Sequence, residues 1–217
     1  MPSTASRPRA PRRDATENRE SLLLAAGTLL NRDPNASLEA VAAEAGLSRR
    51  ALYGHFANRD DLLRELALRG AARINAALLP GAGAVPGAEP TDPALQLATV
   101  GARLWNEVDH VRTMALITVR GPQALLVGDA LLPLREHVRG IVERGIADGS
   151  FRDDIDARTL AHLIESAAIS VLDESTRHEI STAEGRRLVV LSVLALAGFG
   201  HAEATTILTT LTPEEER

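Results

Sequence analysis

Residues Leu38 to Phe56 read LEAVAAEAGLSRRALYGHF: a short amphipathic stretch, a turn containing Gly46, and a second short amphipathic stretch. In the first, Leu38, Val41, Ala42 and Ala45 fall on one helical face behind Ser37, a residue type that caps helix N-termini. In the second, Ser48 is the cap, while Leu47, Leu52 and Phe56 point inward. Two short helices joined by a tight glycine turn are the grammar of a helix-turn-helix. With Leu52 and Phe56 facing the core, Arg49, Arg50, Tyr53 and His55 are left on or near the outer surface, with Ser48 at the helix start and Arg59 just beyond its end. These side chains suit DNA. Arginine donates paired hydrogen bonds to a guanine edge or to phosphate, and tyrosine donates to phosphate while its ring packs on sugar or a thymine methyl.

Outward from this core, the chain reads as helix almost throughout, because Ala, Leu, Arg and Glu dominate and no run alternates as a strand would. Asp14 and Glu17 have capping-box spacing ahead of a first helix that carries Leu22, Leu23, Ala26, Leu29 and Leu30 and ends near Arg32. Asn58 caps a fourth, long helix with Leu62, Leu63, Leu66, Ile74 and Leu78 inside. Pro80 to Pro93 reads as a loop, and further helices are expected over 93–107, 110–119, 122–147, 156–174 and 182–208. The last of these is apolar nearly all round between Leu188 and Phe199, so either the domain core takes up both faces or one face packs on a second copy of the chain.

Composition narrows the function. Hydrophobic residues make up 45% and charged residues 24% of the 217, as in an ordinary globular protein, and the absence of cysteine excludes disulfides, thiolate metal sites and cysteine nucleophiles. A net charge of −5 argues against indiscriminate coating of nucleic acid, but residues 1–70 hold eleven arginines against nine acidic residues. Arg7, Arg9, Arg12 and Arg13 lie among Pro2, Pro8 and Pro11, which reads as a non-helical basic arm: a solvated tail, or an arm that reaches a minor groove. No apolar signal-peptide core follows it, and the expected location is cytoplasmic.

No nucleophile-elbow, zincin or Walker motif is present, so an enzyme is not expected. Glu174 with His178, and His162 with Glu165, have helical spacing that surface ion pairs explain more cheaply than a metal, and Asp153, Asp154 and Asp156 read as helix-capping residues. Trp105, Met114 and Phe151 with His110 are candidates to line an apolar pocket with one polar contact, but they read more simply as core or surface positions, and no ligand-binding residue is assigned.

Residues 17–66, and the run GLSRRALYGHFANRDDLL from Gly46 to Leu63 above all, resemble the N-terminal domain of the TetR family of transcriptional regulators. Gly46, Ser48, Tyr53, His55, Phe56, Asp60 and Leu62 stand where that pattern places them, and Arg59 stands where the family usually has lysine. The resemblance implies an all-α protein, with a three-helix DNA-binding domain joined by a long helix to a helical ligand-binding and dimerisation domain. It implies DNA contacts by Ser48, Arg50, Tyr53, His55 and Arg59, with Leu52 and Phe56 in the core; Arg49 joins the set as an outer-face residue. The expected segments are 1–13 (basic arm), 14–58 (helix-turn-helix) and 59–217 (ligand and dimer domain). The expected partners are double-stranded operator DNA, a second copy docked through the last two long helices, and an unidentified small-molecule effector, with no cofactor, metal or membrane. The function implied is that of a repressor released by its effector.

Overall fold

The computed structural model describes residues 11–79 and 91–211, and every element among them is helical. The chain divides into two compact units, Met1–Leu66 and Ala67–Arg217. In the first, α1 (Pro11–Arg32) packs on both α2 (Leu38–Glu44) and α3 (Arg49–His55), which also pack on each other. Its buried side chains include Leu22, Ala26 and Leu30 of α1, Val41 and Ala42 of α2, Leu52 of α3, and Phe56 and Leu62 beyond it. The long α4 (Arg59–Leu78) starts in this unit, and the division into units falls within that helix. The boundary expected between residues 58 and 59 lies at its first residue.

Helix ends in this unit follow local chemistry. Ser37 Oγ accepts from the Ala40 amide at 3.1 Å, and Asn58 Oδ1 from the Asp61 amide at 2.9 Å. After α2, the Leu47 amide donates to the Ala42 carbonyl at 2.8 Å and the Gly46 amide to Ala43 at 3.0 Å, with Gly46 at φ +67°. This is the Schellman arrangement, which closes the orphan carbonyls of α2 and needs a left-handed residue that glycine adopts without strain. One N-terminal expectation is corrected. Pro11 opens α1, a position where the missing amide costs nothing, so Asp14 lies three residues inside the helix, not at its start, and Arg12 and Arg13 are helical. Residues 1–10 of the basic arm lie outside the described residues.

The second unit contains α5 (Pro93–Val108), a 3-10 turn (Asp109–Val111), α6 (Arg112–Arg120), α7 (Ala124–Ala130), α8 (Leu132–Ala147), α9 (Ala157–Arg177), α10 (Thr182–Ala197) and α11 (His201–Leu211). Helix α10 is central: it packs on α5, α9 and α11 and buries Val189, Val190, Val193, Leu194 and Ala197. Trp105, Met114 and Phe151 belong to the interior, whereas His110 is exposed. The indole nitrogen of Trp105 donates to the Thr182 carbonyl at 2.9 Å, and the Arg112 guanidinium lies 5.0 Å from its ring centroid. Arg112 also pairs with Asp109, whose other oxygen accepts from the Thr182 hydroxyl at 2.7 Å. The start of α10 is thereby tied to the end of α5.

The helix expected over 93–107 is α5, and two further helix expectations in this unit are corrected. Residues 80–90 of the expected loop lie outside the described residues, but Pro93 opens α5 behind an Asp92 cap. The expected 122–147 helix is two, because Pro133 has no amide to continue the ladder across Leu131. The expected 182–208 helix also breaks, at Gly198 (φ +110°), where the Phe199 and Gly198 amides close on the Leu194 and Ala195 carbonyls.

An alanine at position 198 meets both the left-handed backbone and the Arg152 Cβ at 3.3 Å. Gly198→Ala is therefore expected to cost about 1–2 kcal/mol or more and to lower the midpoint of the C-terminal unit by about 2–8 °C, read by thermal melting.

Candidate nucleic-acid interface

The orientation of α3 is set from beneath. Leu52 and Phe56 are each only 1% exposed, which turns Arg49, Arg50 and Tyr53 toward solvent. The Arg19 guanidinium of α1 lies 4.6 Å from the Phe56 ring centroid and donates to the His55 carbonyl at 3.1 Å, fastening the C-terminal end of α3. Its other nitrogen approaches Glu65 at 3.4 Å. Ser48 Oγ accepts from the Ala51 amide at 3.1 Å, so its oxygen serves the cap while its hydroxyl hydrogen stays free to donate.

The structure brings two of the six expected site residues together around a seventh. Glu39, on α2, accepts at one oxygen from Arg49 Nη2 at 2.5 Å and from the Tyr53 hydroxyl at 3.1 Å. A hydrogen bond from its own backbone amide, then the Arg49 and Tyr53 side chains, hold the Glu39 carboxyl below its ordinary value. The Arg49 guanidinium is raised in turn by Glu39. A folded value depressed in this way means that the link is complete above the ordinary carboxylate value of about 4.3 and is lost as pH falls through the lower folded value. At neutral pH the pair is charged on both sides.

The remaining expected residues are placed separately. Arg50 is exposed and His55 half-buried. Arg59 turns toward the α1–α2 connection, where its guanidinium donates to the Pro34 carbonyl at 2.5 Å and to that of Ala36. Its resting role is to hold that connection, two carbonyls being an arrangement well matched to a guanidinium fork. Outside the interface, His178 pairs with Glu174 at 3.2 Å, Glu165 is taken by Arg135 at 2.5 Å, and Asp156 caps α9 by accepting from the Thr159 amide at 3.1 Å.

Nothing in the sequence pattern marks Glu39. Its apolar neighbours define the buried face of α2, but no spacing rule links residue 39 to 49 and 53; the link depends on how α2 crosses α3. For Arg59, replacement by alanine removes the donor shared by the exposed Pro34 carbonyl and the part-buried Ala36 carbonyl and is expected to destabilise the N-terminal unit by about 0.5–1.5 kcal/mol. Faster amide exchange in α2 and α3 is the readout.

Residues 22–66 match the profile of "Bacterial regulatory proteins, tetR family". No curated protein sequence matches the chain. Among solved structures, the chain is similar to RolR in complex with resorcinol, with a TM-score of 0.63 and 18% identity over 94% of this chain and 98% of that one. It is similar to a TetR-like transcriptional regulator from Rhodococcus sp. RHA1, with a TM-score of 0.62 and 22% identity over 88% and 100% of the two chains. It is similar also to the transcriptional regulator FadR from Bacillus subtilis in complex with stearoyl-CoA, with a TM-score of 0.66 and 15% identity over 84% and 99%. At these identities the solved structures establish the fold, and the profile match establishes the nature of the N-terminal unit: a DNA-binding module of regulators, not enzymes. Over residues 22–66 the chain carries the N-terminal domain of the TetR family of bacterial regulatory proteins.

Proposed function

We propose that the protein is a transcriptional repressor that binds a palindromic operator as a homodimer and is released by a small organic effector. The observation that carries the reading is the outer face of α3, where Arg49, Arg50 and Tyr53 stand exposed above a buried Leu52. In this reading Ser48, Arg49, Arg50, Tyr53, His55 and Arg59 form the DNA-contacting set, and Arg59 contributes to backbone contact while holding the α1–α2 connection. Residues 1–13 act as a basic arm, 14–58 as the reading head, and 59–217 as the ligand-binding and dimerisation domain.

The dimer is supported by α9 and α10, the two long helices that pack on each other in the C-terminal unit. Leu163 on the amphipathic α9 is exposed, and so is Ala195 on α10, which is otherwise strongly apolar beyond Arg187. Burial of such faces against a second copy removes apolar surface from water, and two reading heads about 34 Å apart match successive major grooves on one side of a duplex. The effector is supported by the shared fold, since RolR binds resorcinol and the Bacillus subtilis FadR binds stearoyl-CoA. Among the described residues no helix is long and apolar enough to cross a membrane, and the reading places the protein in the cytoplasm with its DNA.

Selection of bound duplexes from a random pool at fixed salt tests this reading, since phosphate contacts make affinity steeply salt-dependent. The expected result is one enriched inverted repeat bound by a dimer. Arg50→Ala and Tyr53→Ala are each expected to weaken binding to it by about 1–3 kcal/mol without changing sedimentation of the free protein. A folded protein that enriches no sequence overturns operator binding, and a monomer bound to a single half-site overturns the dimer.

A further inference from the structure

The Glu39 carboxylate sits in front of two donors that α3 offers to DNA. Arg49 and Tyr53 are four residues apart and so share one face of α3. A single oxygen of Glu39 accepts from both, at 2.5 and 3.1 Å. The cluster is on the surface: the Arg49 side chain is 72% exposed and that of Glu39 is 36% exposed. It is therefore open to solvent.

The donor inventory makes this a competition. Phosphate oxygens and carboxylate oxygens take the same hydrogen bonds from guanidinium and phenol. Arginine has five N–H donors and can hold two anions, but tyrosine has one O–H hydrogen, and here it is committed to Glu39. For Tyr53 to donate to a DNA phosphate, it must first leave the carboxylate. The freed carboxylate then stands as a negative charge beside the incoming backbone.

We infer that Glu39 is an intramolecular stand-in for a DNA phosphate: it occupies Arg49 and Tyr53 in the free protein and must be displaced when α3 engages the duplex, which lowers affinity for DNA at large. The inference rests on the reading that the outer face of α3 contacts DNA. Non-specific binding draws almost wholly on phosphate contacts, so a resident anion on these donors acts most directly there. A protein of net charge −5 whose reading head is nearly balanced in charge is thereby kept from clinging to any duplex it meets.

The test uses the full-length protein and a random-sequence duplex at several salt concentrations, with Glu39→Gln as the central variant. Glutamine keeps the shape and the acceptor oxygen and removes the charge. The expected result is affinity higher by about two- to fivefold near 0.1 M salt. The plot of log affinity against log salt is expected to steepen by up to about one, because no freed carboxylate takes up a cation on binding. The gain should shrink in the Arg49→Ala background and in the Tyr53→Phe background. Glu39→Ala serves as an independent replacement, and helicity and melting of each variant establish that it is folded. Folded Glu39 variants that bind random duplex equally or more weakly overturn the inference, because Glu39 then supports the DNA-bound arrangement. If Arg49→Ala and Tyr53→Phe leave wild-type binding unchanged, the α3 reading itself fails, and this inference with it.

Discussion

The N-terminal unit depends on the burial of Leu52 and Phe56, because these two side chains set the rotation of α3 about its own axis. A helix of seven residues has little stability of its own. Packing fixes its position, and once Leu52 is inside, helical geometry places Arg49, Arg50 and Tyr53 outside. Arg19 reinforces the arrangement from α1 by lying over the Phe56 ring and bonding the last carbonyl of α3. The Ser48 cap and the left-handed Gly46 then fix where α3 begins relative to α2. Apolar burial thus presents the polar face, and the chemistry of that face follows from it.

The C-terminal unit is organised around α10, whose apolar surface is largely consumed by α5, α9 and α11. Part of what looked in the sequence like surplus apolar surface is therefore internal core. The cluster of Trp105, Asp109, Arg112 and Thr182 fixes the N-terminal end of α10, and the turn at Gly198 fixes the other. Both ends of α10 are thereby anchored as it packs on α9, and Leu163 of α9 and Ala195 of α10 stay exposed.

Much of the reading head was legible because its determinants are local. Ser37, Ser48 and Asn58 each cap the helix that follows within three residues, and Gly46 ends α2 through bonds to carbonyls only a few residues back. Where the sequence reading failed, apolar periodicity continued across a break. Leu131, Leu132 and Leu134 keep the pattern going past Pro133, and Phe199 does so past Gly198, so two pairs of helices read as two long ones. At Pro11 the proline that seemed to exclude a helix instead begins one. The side-chain chemistry of the site was less legible. Both the tie from Arg59 to Pro34 and the pairing of Glu39 with Arg49 and Tyr53 join residues ten or more positions apart, and their geometry exists only after the helices have packed.

Contact between the outer face of α3 and DNA can be probed directly, since Tyr53 is the protein's one tyrosine. Incorporation of 3-fluorotyrosine gives a single fluorine resonance at that face, to be followed as duplex DNA is added to the intact protein. If α3 meets DNA, this resonance shifts or broadens in step with binding and saturates with it. A resonance that stays unchanged while the duplex is fully bound would place the DNA elsewhere on the protein.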